Sequence, residues 1–431
     1  MRKLNLGLIG YGVVGSGVVK ILNERKNFIK KKFNAELNIK TICDRSIHKK
    51  KVPGSRKILL TTSFRKVIED KDIDVVIELI GGLDPAEQIM FGALKNGKHV
   101  VTANKELLAH KGKELFSEAI KRRRNIYFEA AVCAGIPLIS SITEGLAGNR
   151  FNGLYGIING TCNFILSEMA NDRCSFAYAL KEAQRRGYAE SNPTLDISGM
   201  DTAHKLTILV YLALGRFIKI KDIHVEGIEQ ISSLDIDYAQ SVHHVIKLLA
   251  IAKKEHKKLE LRVQPTLIHR RHPLASVNGI FNAIFLNTDP VGDILLYGQG
   301  AGQMPAAAGV VSDLINLASR DGGDAIIRTG SLSRELSKIR LRKIDEIETE
   351  YYIRLQVLDQ PGVLSQISGI LGRHDVSIAS LTQKGRSRSA GVPIIMTTHE
   401  AKERMVRLAL EKIGRLSCIK DKPVAIRMEK F

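Results

Sequence analysis

The chain has 431 residues, 44% of them hydrophobic and 26% charged; this fits about two to four globular domains at roughly 100–200 residues each, with enough apolar surface for a core, so that disorder is not the expectation. Its 65 basic and 45 acidic side chains give a formal charge of +20, but the cations fall in short scattered groups such as Lys30-Lys31-Lys32, Lys49-Lys50-Lys51 and Arg122-Arg123-Arg124. With aromatics at 5% and no Trp, base-stacking platforms are scarce, so the excess reads as a solvated surface that attracts small anions rather than as a nucleic-acid binder.

The first stretch alternates strand and helix. Leu4–Ile9 is an apolar strand, Val13 to about Lys30 a helix with a basic far end, and Leu37–Cys43 a second strand. Val75–Ile80 follows, apolar almost throughout as for a strand buried on both faces, then His99–Thr102 and Ile126–Glu129. Helical patterns over Pro85–Asn96 and Lys105–Lys121 lie between. This order predicts an α/β domain over residues 1–135 with a parallel sheet and right-handed crossovers. Residues 136–302 change texture: helical patterns over Phe164–Arg186, Asp201–Leu214 and Tyr238–Glu255, and strands near Gly153–Ile158, Leu259–Leu267 and Gly279–Leu286, predict a second, α+β domain. An apolar helix at about 303–320 is expected to pack back on the first domain. Residues 321–350 are charged and irregular, as in Lys338-Ile339-Arg340-Leu341-Arg342-Lys343, and read as a linker. Residues 351–431 run strand, helix, strand, strand, helix, strand (Tyr352–Leu358, Val363–Gly372, Val376–Thr382, Val392–Thr398, Glu400–Ile413, Pro423–Met428), the ferredoxin-like βαββαβ order.

The five cysteines, Cys43, Cys133, Cys162, Cys174 and Cys418, are odd in number and widely spaced, and predict neither a disulfide framework nor a zinc site. Met1-Arg2-Lys3 leads straight into a strand without a leader pattern. The longest strongly apolar run, Leu206 to Leu214, is far short of the ~20 residues that cross a bilayer. A cytoplasmic protein without a membrane partner is expected.

Gly10-x-Gly12-x-x-Gly15 follows the first strand and opens a helix, the context in which a glycine triplet carries meaning. Gly10 permits the turn, Gly12 lets backbone approach a pyrophosphate and Gly15 lets helix and strand pack closely. With Tyr11, Val13 and Val14 they form a candidate dinucleotide loop, whose helix N-terminus supplies amide donors and partial positive charge. Asp44 ends the second strand, where an acid binds the 2′-hydroxyl of NAD, while Arg45, Lys49-Lys50-Lys51 and Lys57 suit the 2′-phosphate of NADP. NADP is expected to bind; the choice between NADP and NAD stays open.

The most informative segment is Ala183-Gln-Arg-Arg-Gly-Tyr-Ala-Glu-Ser-Asn-Pro-Thr-Leu-Asp-Ile-Ser-Gly-Met-Asp-Thr-Ala-His-Lys205. Ser198-x-x-Asp201 resembles a helix-start signal, which puts Asp201 and Lys205 four apart on one helix face. Glu190 and Asp196 come from the Gly/Pro loop before it. Three acids and one lysine beside an apolar helix are more than an ordinary helix pair requires.

This segment resembles the signature of homoserine dehydrogenases. Glu78-Leu-Ile80-Gly81-Gly82 and Thr102-Ala-Asn-Lys105 resemble the family's nicotinamide-side strand ends, Asn159-Gly160-Thr161-Cys-Asn163 its Asn-Gly-Thr-x-Asn turn, and Gly298-Gln-Gly-Ala-Gly302 its late glycine turn at the cofactor. The likeness covers about residues 1–320. It implies that Ile80, Gly81, Thr102 and Gly302 join the cofactor site, and Gly160 and Thr161 the substrate site. Lys205 would give the proton during reduction of aspartate semialdehyde to homoserine, with Lys105 near nicotinamide and substrate. Glu190 and Asp201 would bind the substrate's amino group, and Asp196 would help orient the lysine. Hydride delivered to the aldehyde carbon builds alkoxide charge, which a positioned ammonium stabilises and protonates. An ordinary lysine titrates near 10.4, so homoserine oxidation should speed up toward alkaline pH.

Glu129-Ala-Ala-Val132-Cys-Ala134-Gly-Ile136 resembles the family's monovalent-cation loop, in which Glu129 and the carbonyls of Val132, Ala134 and Ile136 would hold Na⁺; an interdomain hinge is the competing reading. Leu358-Asp-Gln-Pro-Gly-Val-Leu364 in the C-terminal unit resembles an ACT domain, which implies L-threonine as effector and a homodimer or homotetramer; use in assembly alone is the competing reading there. Aspartate-semialdehyde dehydrogenase would need an activated thiolate, and Cys133 has no histidine beside it. A non-catalytic amino-acid sensor or regulator would leave Glu190, Asp196, Asp201 and Lys205 without a purpose.

Overall fold

A computed structural model describes residues 1–54, 57–319, 339–383 and 391–431. The chain folds into two compact units, each assembled from separated stretches: Met1–Gly160 with Asp201–Ile223 and Ile280–Ile339, and Thr161–Met200 with His224–Gly279 and Arg340–Phe431. No helix among the described residues is long and apolar enough to cross a membrane.

The first unit is built on a six-stranded sheet, in the order Leu59–Thr61, Ala35–Cys43, Arg2–Ile9, Val75–Glu78, His99–Thr102, Ile126–Tyr127. Every pairing is parallel. Val75, Val76 and Ile77 are wholly buried, as a strand covered on both faces must be. Ile9 lies opposite both Cys43 and Glu78, and Glu78 opposite Thr102. The register therefore brings Gly10, Asp44, Leu79 and Ala103 off the sheet at one carboxyl edge, where open α/β sheets bind ligands. The helix Gln303–Ser319 packs on the helix Val13–Glu24: a β-carbon on Gly17 would stand 2.9 Å from Ala307 Cβ. Ala307, Val310 and Leu314 share one core with Leu8, Val18 and Ile77. Arg150–Ile157, Phe281–Asp289 and Gly292–Gln299 form an antiparallel ribbon in the same unit.

In the second unit a hairpin of two twelve-residue strands, His244–Glu255 and Lys258–His269, runs antiparallel over its whole length. The strand Val424–Met428 pairs in parallel with it (Thr266 with Arg427, Leu267 with Met428) and antiparallel with Glu348–Val357, which continues through Val392–Thr398 to Ile378–Gln383. The helices Val363–Arg373 and Glu403–Ile413 contribute Val363, Ile367, Val406 and Ala409 to one core with Ile353, Leu355 and Met396. This is the expected βαββαβ arrangement.

Several elements differ from expectation. The predicted helix over Tyr238–Glu255 is a helix only to Ser241; His244–Glu255 is a strand. Ile246 to Ala252 are all buried, and such a run reads equally as helix or buried strand until a partner decides. The first long helix divides at Arg25 into Val13–Glu24 and Lys26–Phe33, and Phe164–Arg186 divides where Arg173 adopts φ 49° and Ser175 caps a new helix. The short strand Leu59–Thr61 and the strand Gly292–Gln299 were not anticipated. Residues 321–338 of the expected linker lie outside the described residues.

Candidate active site

At the start of the first helix, Gly10 has φ 100°, and a β-carbon on Gly15 would collide with the Gly10 carbonyl. A β-carbon on Gly12 would meet nothing within 4 Å, so this point of the loop is open. The first turn has no side-chain cap, leaving the amides of Val13 and Val14 for a ligand, with Val13 67% exposed beside them. These are the features a pyrophosphate needs. Tyr11 is buried, and its amide donates to Asp44 Oδ2 at 2.9 Å. Asp44 Oδ1 also accepts from Ser46 N at 2.8 Å and is paired with Lys50 Nζ at 2.8 Å, which donates to the Tyr11 carbonyl. Burial raises the Asp44 carboxyl, but Lys50 and the neighbouring donors outweigh it and hold the group at about 2. Arg45 is exposed.

The loops after the next two strands are tied together. Glu78 is fully buried; Oε1 accepts from the amides of Ile80 and Gly81 at 2.9 and 3.2 Å, and Oε2 from the Thr102 hydroxyl at 2.6 Å. Thr102 Oγ1 accepts from Asn104 N, Asn104 Nδ2 donates to the Gly82 carbonyl, and Asn104 Oδ1 caps the helix Lys105–Arg122 at Leu107 N. Thr102 is thus buried and engaged in building the loop, while Ile80 is 39% exposed. The result fixes Lys105 at the first position of its helix.

Opposite Lys105 stands Asp201, whose side chain is 3% exposed. Its Oδ1 pairs with Lys105 Nζ at 2.8 Å. Its Oδ2 pairs with Lys205 Nζ at 2.7 Å and accepts from Asn159 Nδ2 at 2.8 Å. Lys205 Nζ also donates to the Ile158 carbonyl at 2.8 Å. Burial would push the Asp201 carboxyl up; the Lys205 and Lys105 ammonium groups outweigh it and hold the carboxyl well below the usual range. The helix bearing Asp201 and Lys205 starts at Met200 after Gly199, φ 83°. Ser198 instead closes the short helix Thr194–Ile197, so the expected capping serine falls one residue too early and Gly199 holds the position before the helix. Gly160 adjoins this cluster: a β-carbon there would sit 2.8 Å from the Ile280 carbonyl. Sequence reasoning missed Asn159 as a partner of Asp201, although it opens the Asn-Gly-Thr turn.

Cys133, with φ 51°, is 1% exposed, and Asn282 Nδ2 donates to its Sγ at 3.4 Å. Burial pushes the thiol up to about 11 against the pull of the Lys205 ammonium; a protonated, buried thiol is no nucleophile. Beside it, Glu129 is buried, and its carboxylate accepts from Ile139 N and Ser140 N at 2.7 and 2.9 Å. Its amide donates to Asp313 Oδ2 at 2.9 Å. Burial raises both carboxyls. Among the described residues no hydrogen bond reaches the carbonyls of buried Val132 or Ala134, whereas Ile136 O accepts from Leu138 N.

The remaining expected residues lie in the second unit. The Thr161 hydroxyl donates to the Tyr188 carbonyl at 2.7 Å. Glu190 is exposed, and its carbonyl accepts from Gln184 Nε2. Asp196 sits in the helix Thr194–Ile197, where its carbonyl accepts from Cys162 Sγ. Gly302, φ 124°, returns to the first unit and immediately precedes the helix packed on the dinucleotide loop's own helix.

A parallel sheet with an open glycine loop at its switch point, and a buried carboxylate bridging two lysines, define an NAD(P)-dependent oxidoreductase. The chain matches the family model for homoserine dehydrogenase over residues 137–315, that for the homoserine dehydrogenase NAD binding domain over residues 10–129, and that for the ACT domain over residues 351–418. It is 42% identical to a homoserine dehydrogenase of Neisseria gonorrhoeae, covering 100% of this chain and 99% of the relative, and 36% identical to that of Bacillus subtilis at 100% and 99%. Among solved structures it resembles a homoserine dehydrogenase from Thiobacillus denitrificans at 40% identity and TM-score 0.91, covering 100% and 99%. It also resembles a hyperthermophilic archaeal homoserine dehydrogenase in complex with NADPH, at 27% identity and TM-score 0.63, covering 74% and 98%. The chain belongs to the homoserine dehydrogenase family, which interconverts L-aspartate 4-semialdehyde and L-homoserine.

Proposed function

We propose that Lys205 is the proton donor and acceptor of this reaction and that Asp201 and Lys105 hold it in place. The observation that carries this is Asp201, 3% exposed, receiving one lysine on each carboxylate oxygen. A bound nicotinamide supplies or accepts the hydride. Held by Asp201 and the Ile158 carbonyl, the Lys205 ammonium stabilises alkoxide charge as it develops on the substrate oxygen and donates a proton to it. In the oxidation direction the neutral amine takes the proton back. Glu190 and Asp201 supply negative charge for the substrate's amino group, Asp196 helps to orient the lysine, and Thr161 orders the turn that precedes Glu190. Lys105 is half-exposed and near enough to Asp201 to steady the substrate end.

We read the cofactor as NADP in preference to NAD. Lys50 already neutralises Asp44, so a 2′-phosphate meets cations rather than a free acid. Glu129 with the carbonyls of Val132, Ala134 and Ile136 fits a monovalent cation: a buried carboxylate and two buried carbonyls that no hydrogen bond reaches among the described residues are hard oxygen ligands. The ACT domain fits amino-acid feedback by L-threonine at the turn where Gly362, φ 88°, starts a helix, in a homodimer or homotetramer. The deciding experiment follows reduced cofactor during oxidation of L-homoserine by NADP⁺ or NAD⁺ at alkaline pH, with Lys205→Ala beside the wild type. Activity that disappears in the variant supports the assignment; an active variant refutes it.

A further inference from the structure

Arg427 lies on the last strand of the ACT domain with its guanidinium buried between two carboxylates. Nη1 and Nη2 reach Glu226 at 2.9 and 3.0 Å; Nε and Nη2 reach Glu403 at 2.7 Å each. Glu403 belongs to the ACT helix Glu403–Ile413. Glu226 does not: it follows the strand His224–Val225, which pairs with Lys258–His269. Such fork-to-fork contacts fix geometry as well as charge.

The segment carrying Glu226 packs directly on the end of the loop that holds Asp196. Glu226 N donates to the Val263 carbonyl at 2.7 Å, and Ile228 N to the Ile197 carbonyl at 2.8 Å. Gly227 is packed so closely that a β-carbon would collide with the Ile197 carbonyl and stand 2.8 Å from Ser198 Cα. A β-carbon on Gly199 would stand 3.2 Å from Val225 and 3.3 Å from the Glu226 carbonyl. Gly199 N in turn donates to the Asp196 carbonyl at 3.0 Å. There is no slack between Glu226 and the end of the Glu190–Ile197 loop: backbone rests on backbone.

We propose that Arg427 is a positioning residue for the substrate loop, acting through Glu226 and the backbone of residues 225–228 on Ile197, Ser198 and Asp196. This rests on the reading that Glu190 and Asp196 serve the substrate. Glu403 anchors the same guanidinium on the ACT side, so the bridge ties the position of the C-terminal domain's last strand to homoserine affinity without Arg427 touching substrate. The coupling runs through packed backbone and one buried ionic fork, a physical link between two sites of the kind that carries energetic coupling.

The test compares Glu226→Ala, Glu403→Ala and Glu190→Gln in the full-length enzyme, measuring kcat, KM for L-homoserine, KM for NADP⁺ and thermal unfolding. Each alanine variant leaves Arg427 one carboxylate, so neither strands a buried charge. Glu226→Ala should raise the homoserine KM by about fivefold, with kcat and the cofactor KM within about twofold. Glu403→Ala should lower the unfolding temperature but leave the homoserine KM unchanged, because the Glu226 fork survives. The proposal is overturned if Glu190→Gln raises the homoserine KM while Glu226→Ala does not, or if the two alanine variants raise it equally. If Glu190→Gln itself leaves that KM unmoved, the substrate-loop reading falls, and the proposal with it.

Discussion

Replacing Asp201 by asparagine tests the core of the site with almost no change in shape. The carboxylate offers Oδ1 to Lys105 at 2.8 Å and Oδ2 to Lys205 at 2.7 Å and to Asn159 at 2.8 Å. An amide offers one acceptor and one donor, so whichever way it turns a lysine ammonium faces an N–H group. Breaking a buried ion pair by removing one partner costs about 3–5 kcal/mol. At 1.36 kcal/mol per factor of ten, a transition state that bears the whole loss would slow by about 10²- to 10⁴-fold. The Lys105 side chain is 34% exposed, so solvent screens its half, and the lower end, about 100-fold in kcat/KM, is the expected result. The assay is initial-rate oxidation of L-homoserine at saturating NADP⁺, with cofactor binding measured by fluorescence to show that the dinucleotide site is intact. Stability should change with a definite sign. The folded Asp201 carboxyl titrates below its unfolded value of about 3.9, so its contribution is complete above that pH and declines as pH falls below it. The gap in unfolding temperature between wild type and Asp201→Asn should therefore be full at pH 7 and narrow below about pH 4. A variant that binds cofactor normally and loses less than tenfold in kcat/KM would refute the bridging role.

Lys50→Ala should raise the KM for NADP⁺ by about tenfold and that for NAD⁺ much less, since a lost phosphate contact is worth about 1.4 kcal/mol; equal effects on both would remove Lys50 from cofactor choice. Lys247 is buried, with its ammonium donating to Asn163 Oδ1, Val277 O and Asn278 Oδ1, and burial pushes it down to about 7. Between pH 7 and about 10.4 the unfolded chain binds the extra proton, so wild type should gain stability over Lys247→Met as pH rises through that window; thermal melts showing a constant difference would contradict this. Iodoacetamide at pH 8 should leave activity intact, because Cys133 is 1% exposed and its thiol is pushed up to about 11; inactivation that homoserine prevents would argue against it.

Local chemistry made much of this protein legible. The glycine loop was readable because only glycine tolerates φ 100° at residue 10 and the contact at residue 15. The βαββαβ order of the C-terminal domain followed from turn residues and period. The Asp201–Lys205 pair followed from helical spacing alone. Where a segment's pattern fits two structures, the sequence was silent: Ile246 to Ala252 is apolar enough for helix or buried strand, and the partner Lys258–His269 decided for strand.

Other features exist only once distant stretches meet. Lys105 and Asp201 lie on two helices far apart in sequence, and their contact depends on Glu78, Thr102 and Asn104 fixing two loops at one sheet edge. Asn159 reads as a turn residue until it is seen bonded to Asp201. The Arg427 fork joins residues 201 positions apart. Sequence by itself determined the parallel-sheet class, the dinucleotide loop and the residue types of the catalytic stretch, because backbone sterics and helical periodicity act over a few residues. Only the tertiary structure decided which buried charges face one another, because a charge taken out of water must find its partner wherever the fold brings one.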